Sequence, residues 1–465
     1  MTLSYLQKKY PKFIYQSFKW RFLNNKNLEI NFEFIIEPDI FFKPKVLIKK
    51  IPSSAIRKLG EKTLNNLIFH LGLIESLSYW KATCSPKIVI KPAALNLRQR
   101  KWWLKIIEKG MGQFFYENKI NPKTCLPQII SQKDNNLKRA QPIENQEKII
   151  LPFGGGKDSI LSLEILKKSN KKILPFILNP IKAHFKILKK AGFRKNILVV
   201  ERKIDPKLLE LNRKGFLNGH TPYSAYLAFL SFLIAALNNA RFIILSNEKS
   251  SEEGNLKHFN QEINHQWSKT FEFEKMFRQY SKNYLLKNIE YFSLLRVFEE
   301  LHIAQLFSYF PQYFNEFISC NQVFKQKTKK RWCLKCSKCL STYILFSAFL
   351  TPSKLVKIFG KDILKDKSLK SLLELLILKE KPKPFECVGT KNELKIALSR
   401  LLNYYERKRW LEMPFLLKFF KNKILKSAKK QLIIPKINFQ EKNFLPLEFK
   451  KLLKSEIKKM APSLL

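Results

Sequence analysis

The sequence has no uninterrupted apolar run long enough to span a membrane. Its longest, "YSAYLAFLSFLIAAL" (Tyr223–Leu237), falls short of the ~18 residues such a helix needs and reads as a buried helix. The opening "MTLSYLQKKYPKFIYQSF" lacks an apolar h-region and a small-residue cleavage site, so no secretory signal is expected, and the cytoplasm is the expected compartment. Acidic residues are scarce: 37 Asp and Glu stand against 87 Lys and Arg, a net charge of +50. Such an excess invites a nucleic-acid partner. The lysines are, however, spread along the whole chain among many Ile, Asn and Phe residues, as a codon bias toward A and T would leave them. Nucleic acid is therefore not the expected partner, and the lysine-dense stretch Lys418–Lys459 is the one candidate for an anionic surface. Internal repeats are missing too.

Disorder is excluded by a hydrophobic content of 45% with 39 phenylalanines, and 465 residues suffice for two or three domains. Residues 1–130 mix strand-like runs ("NLEINFEFIIEP", "PKVLIKKI", "PKIVIKP") with amphipathic segments such as "RKLGEKTLNNLIFHLGLIESLSYW", and are expected to form an α+β region. A polar linker over 131–147 is expected next, with Pro142 disfavouring helix. From Lys148 short apolar runs alternate with helical segments: "KIILPF", "DSILSLEILKKSN", "KKILPFILNP", "IKAHFKILKKAG", "NILVVERKI", "SAYLAFLSFLIAALNN", "RFIILSNE". This rhythm predicts an α/β domain over 148–345 with a parallel sheet covered on both faces, followed by a helical region over 346–465.

The first strand of that rhythm runs into Gly154-Gly155-Gly156-Lys157-Asp158-Ser159 and then a helix. Strand, glycine turn and helix together aim backbone N–H groups and a helix N-terminus at a phosphate. The segment is not a Walker loop, because Leu151 stands where its first glycine belongs and Asp158 where its hydroxyl belongs. The G-x-G-x-x-G spacing of dinucleotide folds is absent as well.

Seven cysteines in a chain with no secretory signal point to metal rather than disulfides. Cys320, Cys333, Cys336 and Cys339, in "SCNQVFKQKTKKRWCLKCSKC", supply four thiolates for a tetrahedral, structural Zn²⁺ site, with an iron–sulfur cluster as the alternative occupant. In a doubly wound sheet the loops after strand C-termini line the ligand crevice. "NGHTPYSA" (Asn218–Ala225), "LSNEKSSEEGN" (Leu245–Asn255) and "NHQWSKTFEFE" (Asn264–Glu274) are such segments. They make His220, Thr221, Asn247, Glu248, Asn255, His265 and Lys269 candidates to face a substrate. Asn179, beyond the second strand of the rhythm, is a weaker candidate for contacting adenosine. Two further cysteines, Cys84 in "SYWKATCSP" and Cys387 in "PFECVGT", sit in turns unlike their helical surroundings.

The loop Gly154–Ser159 resembles the S-G-G-x-D-S loop of the PP-loop ATP pyrophosphatases, with Gly154 replacing serine. The cysteine cluster is similar to that of the 7-cyano-7-deazaguanine-forming members of the superfamily. Together, "LPFGGGKDS", "NGHTPYSA", "SNEKSSEEGN", "NHQWSKTFEFE", "SYWKATCSP", "PFECVGT" and the cysteines resemble the ATP-dependent UDP-N-acetylmuramoyl-L-alanyl-L-glutamate epimerases of peptidoglycan synthesis. That resemblance implies a PP-loop core, binding of ATP and Mg²⁺ at Gly154–Ser159, and a UDP-linked muramoyl dipeptide as substrate. It also implies adenylation of the glutamate carboxylate with release of AMP and pyrophosphate, then inversion at the α-carbon. His220, Glu248, His265, Cys84 and Cys387 are the candidate acid–base residues, and Thr221, Asn247, Asn255 and Lys269 the candidate substrate contacts. Two other readings stand beside this one: a PP-loop enzyme that modifies a nucleobase or tRNA, and a zinc-stabilised nucleotide- or nucleic-acid-binding module without catalysis.

Overall fold

The computed structural model describes residues 1–24, 26–131, 146–326, 331–423 and 433–465. Most of the expected linker, residues 132–145, lies outside these, as do residues 424–432 of the lysine-dense stretch. The chain is α/β, organised on an 11-stranded sheet in the order β13-β10-β7-β8-β9-β4-β2-β1-β5-β6, with β3 pairing β2. In chain order these strands are β1 Lys12–Leu23, β2 Asn27–Ile36, β3 Ile40–Phe42, β4 Lys45–Lys49, β5 Lys87–Ile90 and β6 Gln128–Ser131. They continue with β7 Gln146–Pro152, β8 Lys172–Leu178, β9 Leu198–Lys203, β10 Ala240–Leu245 and β13 Glu290–Ser293. A separate hairpin pairs β11 Leu256–His258 with β12 Gln261–Ile263.

From β13 to β9 every pairing is parallel. Side chains alternate between two cores there: Ile149 and Leu151 of β7 join one cluster and Ile150 the other, and Phe242 and Ile244 of β10 oppose Ile243 and Leu245. A strand buried on both faces reads as a continuous apolar run, which is why "KIILPF" and "RFIIL" were legible. Helix Tyr223–Leu237 covers one face and helix Lys157–Leu166 the other. Around β2 the sheet is antiparallel, and β2 alternates buried and half-buried positions along its whole length. The predicted helix through "RKLGEKTLNNL…" is two helices, Ser53–Leu59 and Glu61–Trp80, divided at Gly60, whose φ of +82° a residue with a side chain adopts only under strain.

The expected division between 1–130 and 148–345 falls within one continuous sheet. β4 pairs antiparallel with β9 from Lys45↔Lys203 to Ile48↔Val200, and one hydrophobic cluster runs from Leu6 to Tyr291. The chain beyond the cysteines is helical, and its last long helix, Leu447–Met460, returns to the sheet, with Phe449 packed on Phe242 at 5.2 Å between ring centroids. Strand order reverses beside β7: the chain steps to β8 and β9 on one side, then to β10 and β13 on the other. Ligands of open α/β sheets bind at such a switch point, outside the strand C-termini. The glycine loop follows β7, and the loop from Ser246 to Asn255 follows β10.

Candidate active site

At the end of β7, Gly155 has φ +70° and a Cβ there would meet Cδ2 of His184 at 2.7 Å, so the turn requires glycine at this position. His184 closes the turn by donating from Nε2 to the carbonyl of Gly154 (3.2 Å), its Nδ1 accepting from Ile181 N–H (3.1 Å). Gly156 leads into helix Lys157–Leu166 without a side-chain cap, while Ser159 Oγ donates back to the Gly156 carbonyl (3.1 Å). Lys157 is buried, its Nζ 2.5 Å from Asp158 Oδ1 and paired also with the buried Glu300. Burial alone would lower the Lys157 pKa, but the two carboxylates reverse it and hold the ammonium. For Asp158, burial would favour the neutral acid; Lys157, then Lys338 and Lys269, pull its carboxyl below the ordinary range.

Of these cations, Lys269 also lines a neighbouring cavity of about 800 Å³. Its lining includes His220, His265, Lys269 and Cys387, together with Gln113 and Glu117 from the N-terminal region. Lys269 Nζ donates to Cys387 Sγ at 3.3 Å. Burial disfavours this ammonium, yet Cys387, Glu248 and Asp158 outweigh burial and raise its pKa. Lys338 Nζ donates to the backbone carbonyl of Cys387 and lies 3.9 Å from Glu300. The imidazoles of His220 and His265 are 6.4 Å apart between centroids. Burial, reinforced by Lys81, lowers the His220 pKa to about 4. Burial, then His220, Lys269, Lys383 and Lys338, lowers that of His265 to about 2. Both rings are therefore neutral bases at physiological pH.

The four clustered cysteines adjoin this cavity, and their sulfurs all lie within 4.8 Å of one another. The Sγ pairs Cys320–Cys336 (3.9 Å) and Cys333–Cys339 (3.8 Å) match the ~3.8 Å edge of a tetrahedron with ~2.3 Å metal–sulfur bonds. A cubane, which gives each thiolate its own iron, would spread the sulfurs further. The cluster fits one ion. It also organises both halves of the site. Ile318 N–H, two residues before Cys320, donates to the Gly155 carbonyl (3.2 Å). Helix Ser337–Ser347 starts between Cys336 and Cys339, and Glu386 accepts there from Ser337 Oγ (2.5 Å) and Lys338 N–H (2.8 Å). Gly389 N–H donates to Ser341 Oγ of the same helix (3.2 Å), so the turn that carries Cys387 hangs on the cysteine module.

Several expected residues lie elsewhere. Cys84 is fully buried outside the cavity lining, with φ +48°, and burial pushes its thiol well up. Asn179 exchanges side-chain hydrogen bonds with the Arg202 backbone (2.8 and 3.3 Å), fastening the end of β8 to β9. Asn247 donates to Ser293 Oγ at the end of β13 (3.2 Å). Glu248 is buried behind Lys269, and Thr221 is outside the lining while its neighbours His220 and Tyr223 are within it. Asn255 is buried behind His265. Lys338, Glu300 and Glu386 were not anticipated. Lys338 had a signal, a lysine between two metal-spaced cysteines in "CSKC", whereas Glu300 and Glu386 looked like ordinary helix and loop acids.

Comparison with known proteins covers most of the chain. A family model described as the MurL N-terminal domain matches residues 5–294, and one described as the MurL C-terminal domain matches residues 316–432. The chain belongs to the MurL family. A relative from Micromonospora sp., named UDP-N-acetyl-alpha-D-muramoyl-L-alanyl-L-glutamate epimerase, is 32% identical over 373 residues, covering 80% of this chain and 81% of the relative. A protein of the same name from Xanthomonas oryzae pv. oryzae is 30% identical over 357 residues, covering 76% and 77%. The boundary between the two MurL domains falls between β13 and the cysteine cluster, so the cavity draws residues from both. Among the described residues no helix is long and apolar enough to cross a membrane.

Proposed function

We propose that this MurL protein inverts the terminal L-glutamate of UDP-N-acetylmuramoyl-L-alanyl-L-glutamate in the cytoplasm, by an ATP-dependent adenylation of the glutamate carboxylate. The supporting observation is continuity: Lys269 and Lys338, which face Asp158 at the glycine loop, also hold Cys387 in the cavity. Phosphate chemistry and proton chemistry therefore share one set of cations.

The α-hydrogen of a glutamate is hard to remove while the neighbouring carboxylate is anionic. ATP supplies the activation: the carboxylate displaces pyrophosphate and forms a mixed anhydride with AMP whose carbonyl accepts the charge of an enolate, and after reprotonation water hydrolyses the anhydride and releases AMP. The chain's residues divide the remaining work. Backbone N–H groups of Gly154–Ser159 and the uncapped helix N-terminus receive phosphate oxygens. Lys269 and Lys338 balance charge that develops on the phosphates and the enolate. Asp158, partly exposed at 26%, is the carboxylate placed to receive Mg²⁺ beside the loop. Neutral His265 and His220 accept a proton, and Cys387, from another segment of the cavity wall, is the group to deliver one. Cys320, Cys333, Cys336 and Cys339 would hold Zn²⁺ with all four thiolates, and the ion would there fix the two loops that meet it rather than act on substrate.

The test is incubation of the purified protein with Mg²⁺, ATP and UDP-N-acetylmuramoyl-L-Ala-L-Glu, scoring nucleotide products and glutamate configuration together. AMP, pyrophosphate and D-glutamate are expected. ADP with phosphate, or unchanged configuration, would overturn the proposal. Asp158→Ala and Ser159→Ala are expected to abolish AMP release in folded protein.

A further inference from the structure

Asn255 was expected among the substrate contacts, but its hydrogen-bonding capacity is already used. Its backbone N–H donates to Ile263 (2.7 Å) and its carbonyl accepts from Lys383 N–H (3.0 Å). The side-chain Nδ2 donates to two carbonyls, of Lys383 (3.2 Å) and Pro384 (2.8 Å). Oδ1 accepts from the backbone N–H of His265 (2.9 Å) and lies 3.0 Å from His265 Nδ1. The amide orientation is fixed at both ends, because carbonyls can only accept and a backbone N–H can only donate. The atom facing the imidazole is thus an acceptor, and Nδ1 of His265 must carry the hydrogen. His265 Nε2 is left buried with no hydrogen-bond partner among the described residues, on a side chain that lines the cavity.

We propose that Asn255 is a positioning residue that fixes His265 as its Nδ1–H tautomer and so leaves the bare Nε2, on a ring that lines the cavity, as the proton acceptor. The same amide ties His265 to Lys383 and Pro384, three residues before Cys387. One side chain therefore sets the tautomer of one acid–base candidate and the approach of the loop that carries the other. Nothing in Asn255 touches the reacting atoms. Its effect passes through His265, as that of a carboxylate or carbonyl behind a catalytic imidazole does. The role of Nε2 as proton acceptor rests on the epimerase reading; the tautomer does not.

The experiment labels the full-length, metal-loaded protein with ¹⁵N-histidine and reads both ring nitrogens by long-range ¹H–¹⁵N correlation. The chain has six histidines, and the His265 signals are those missing from His265→Gln. For wild type, a protonated Nδ1 and an unprotonated Nε2 are expected; the opposite tautomer or an even mixture would overturn the proposal. In Asn255→Leu the signals should shift toward a mixture, and kcat for epimerisation should fall on the order of 10²-fold, the scale for a misoriented reacting group, with the KM for the UDP-linked substrate little changed. Asn255→Asp retains the acceptor and should keep the Nδ1–H signature, rescuing the tautomer that Asn255→Leu loses. Retention of the wild-type tautomer in Asn255→Leu contradicts the proposal, and should that variant not fold, the wild-type and Asn255→Asp spectra still decide it. A wild type that shows the expected tautomer but does not epimerise would overturn the proposed function and leave the tautomer assignment standing.

Discussion

The turn that carries Cys84 and the turn that carries Cys387 are held by different kinds of contact. Around Cys84 the turn largely satisfies itself: Trp80 Nε1 donates to the Ser85 carbonyl (2.9 Å), the hydroxyls of Thr83 and Ser85 pair at 2.9 Å and the thiol donates to the Lys81 carbonyl (3.8 Å), with Gln7 alone reaching the Cys84 carbonyl from far along the chain (2.9 Å). The thiol is sealed in the core. Around Cys387 the partners come from far along the chain: Lys269 on the sulfur, Lys338 on the carbonyl, and Ser337 and Lys338 N–H on the adjacent Glu386. A cysteine enclosed by its own turn is a packing element. One bound by distant cations, in the wall of a cavity, is within reach of a ligand there.

Loss of the metal should separate the two turns most sharply. Replacing Cys333 or Cys336 with Ser is expected to release about one zinc per chain and to cost much of the soluble protein, since binding of a structural zinc is part of the folding free energy. In what remains soluble, amide exchange should rise across 384–390 while 78–86 stays protected. Equal protection in both segments would break the link between the cysteine module and the Cys387 turn.

Lys269→Met comes next. It removes the ammonium from both Cys387 and the surroundings of Asp158, so AMP release and glutamate inversion should fall together, each on the order of 10²-fold. A loss confined to one of the two would show that the cations are not shared.

Cys84→Ser sharpens the comparison from the other side. Burying a hydroxyl in place of the thiol should cost about 1–3 kcal/mol of stability, read by denaturant unfolding, with kcat for inversion unchanged. A catalytic defect in stable protein would return Cys84 to the acid–base candidates.

The smallest effect is the response to acid. His220, with its pKa lowered to about 4, and His265, lowered to about 2, take up protons in the unfolded chain near pH 6.5 but not in the native one. The unfolded state then binds more protons, so stability is whole above pH 6.5 and declines as pH falls toward 4. His220→Gln should flatten that decline, leaving the part due to His265 and to His70, His184 and His302, whose pKa values burial also lowers. An unchanged slope would place the His220 ring in water.

Much of this was legible in sequence where the signal is local. Period and punctuation revealed β7, β8, β9, β10 and the helices Lys157–Leu166, Lys182–Lys190 and Tyr223–Leu237, though not Pro206–Arg213, because strands buried on both faces are apolar without interruption. The glycine turn between strand and helix and the grouping of the four cysteines were legible because spacing alone marks them. β1 was not recognised: "KFIYQSFKWRFL" is interrupted by Lys and Arg, and its pairing with β2 contains an irregularity between Tyr15 and Ser17. The union of the N-terminal strands with the parallel sheet through β4 and β9 was hidden too, since nothing local marks a pairing across some 150 residues. Within the site, sequence named His220, His265, Lys269 and Cys387 but could not separate them from Thr221, Asn179 or Cys84. Which side chain meets a cavity and which closes a turn depends on long-range contacts.

The claim at the centre of this account is that the α-hydrogen moves in the cavity walled by Cys387 and His265, after activation at the glycine loop. Its most direct test follows deuterium from solvent into the α-position of the inverted, D-glutamate product, with AMP counted in the same reaction, for wild type, Cys387→Ser and Cys84→Ser. Wild type and Cys84→Ser should exchange alike, while Cys387→Ser still releases AMP but exchanges on the order of 10²-fold more slowly. Near-normal exchange in Cys387→Ser, or a matching loss in Cys84→Ser, would contradict it.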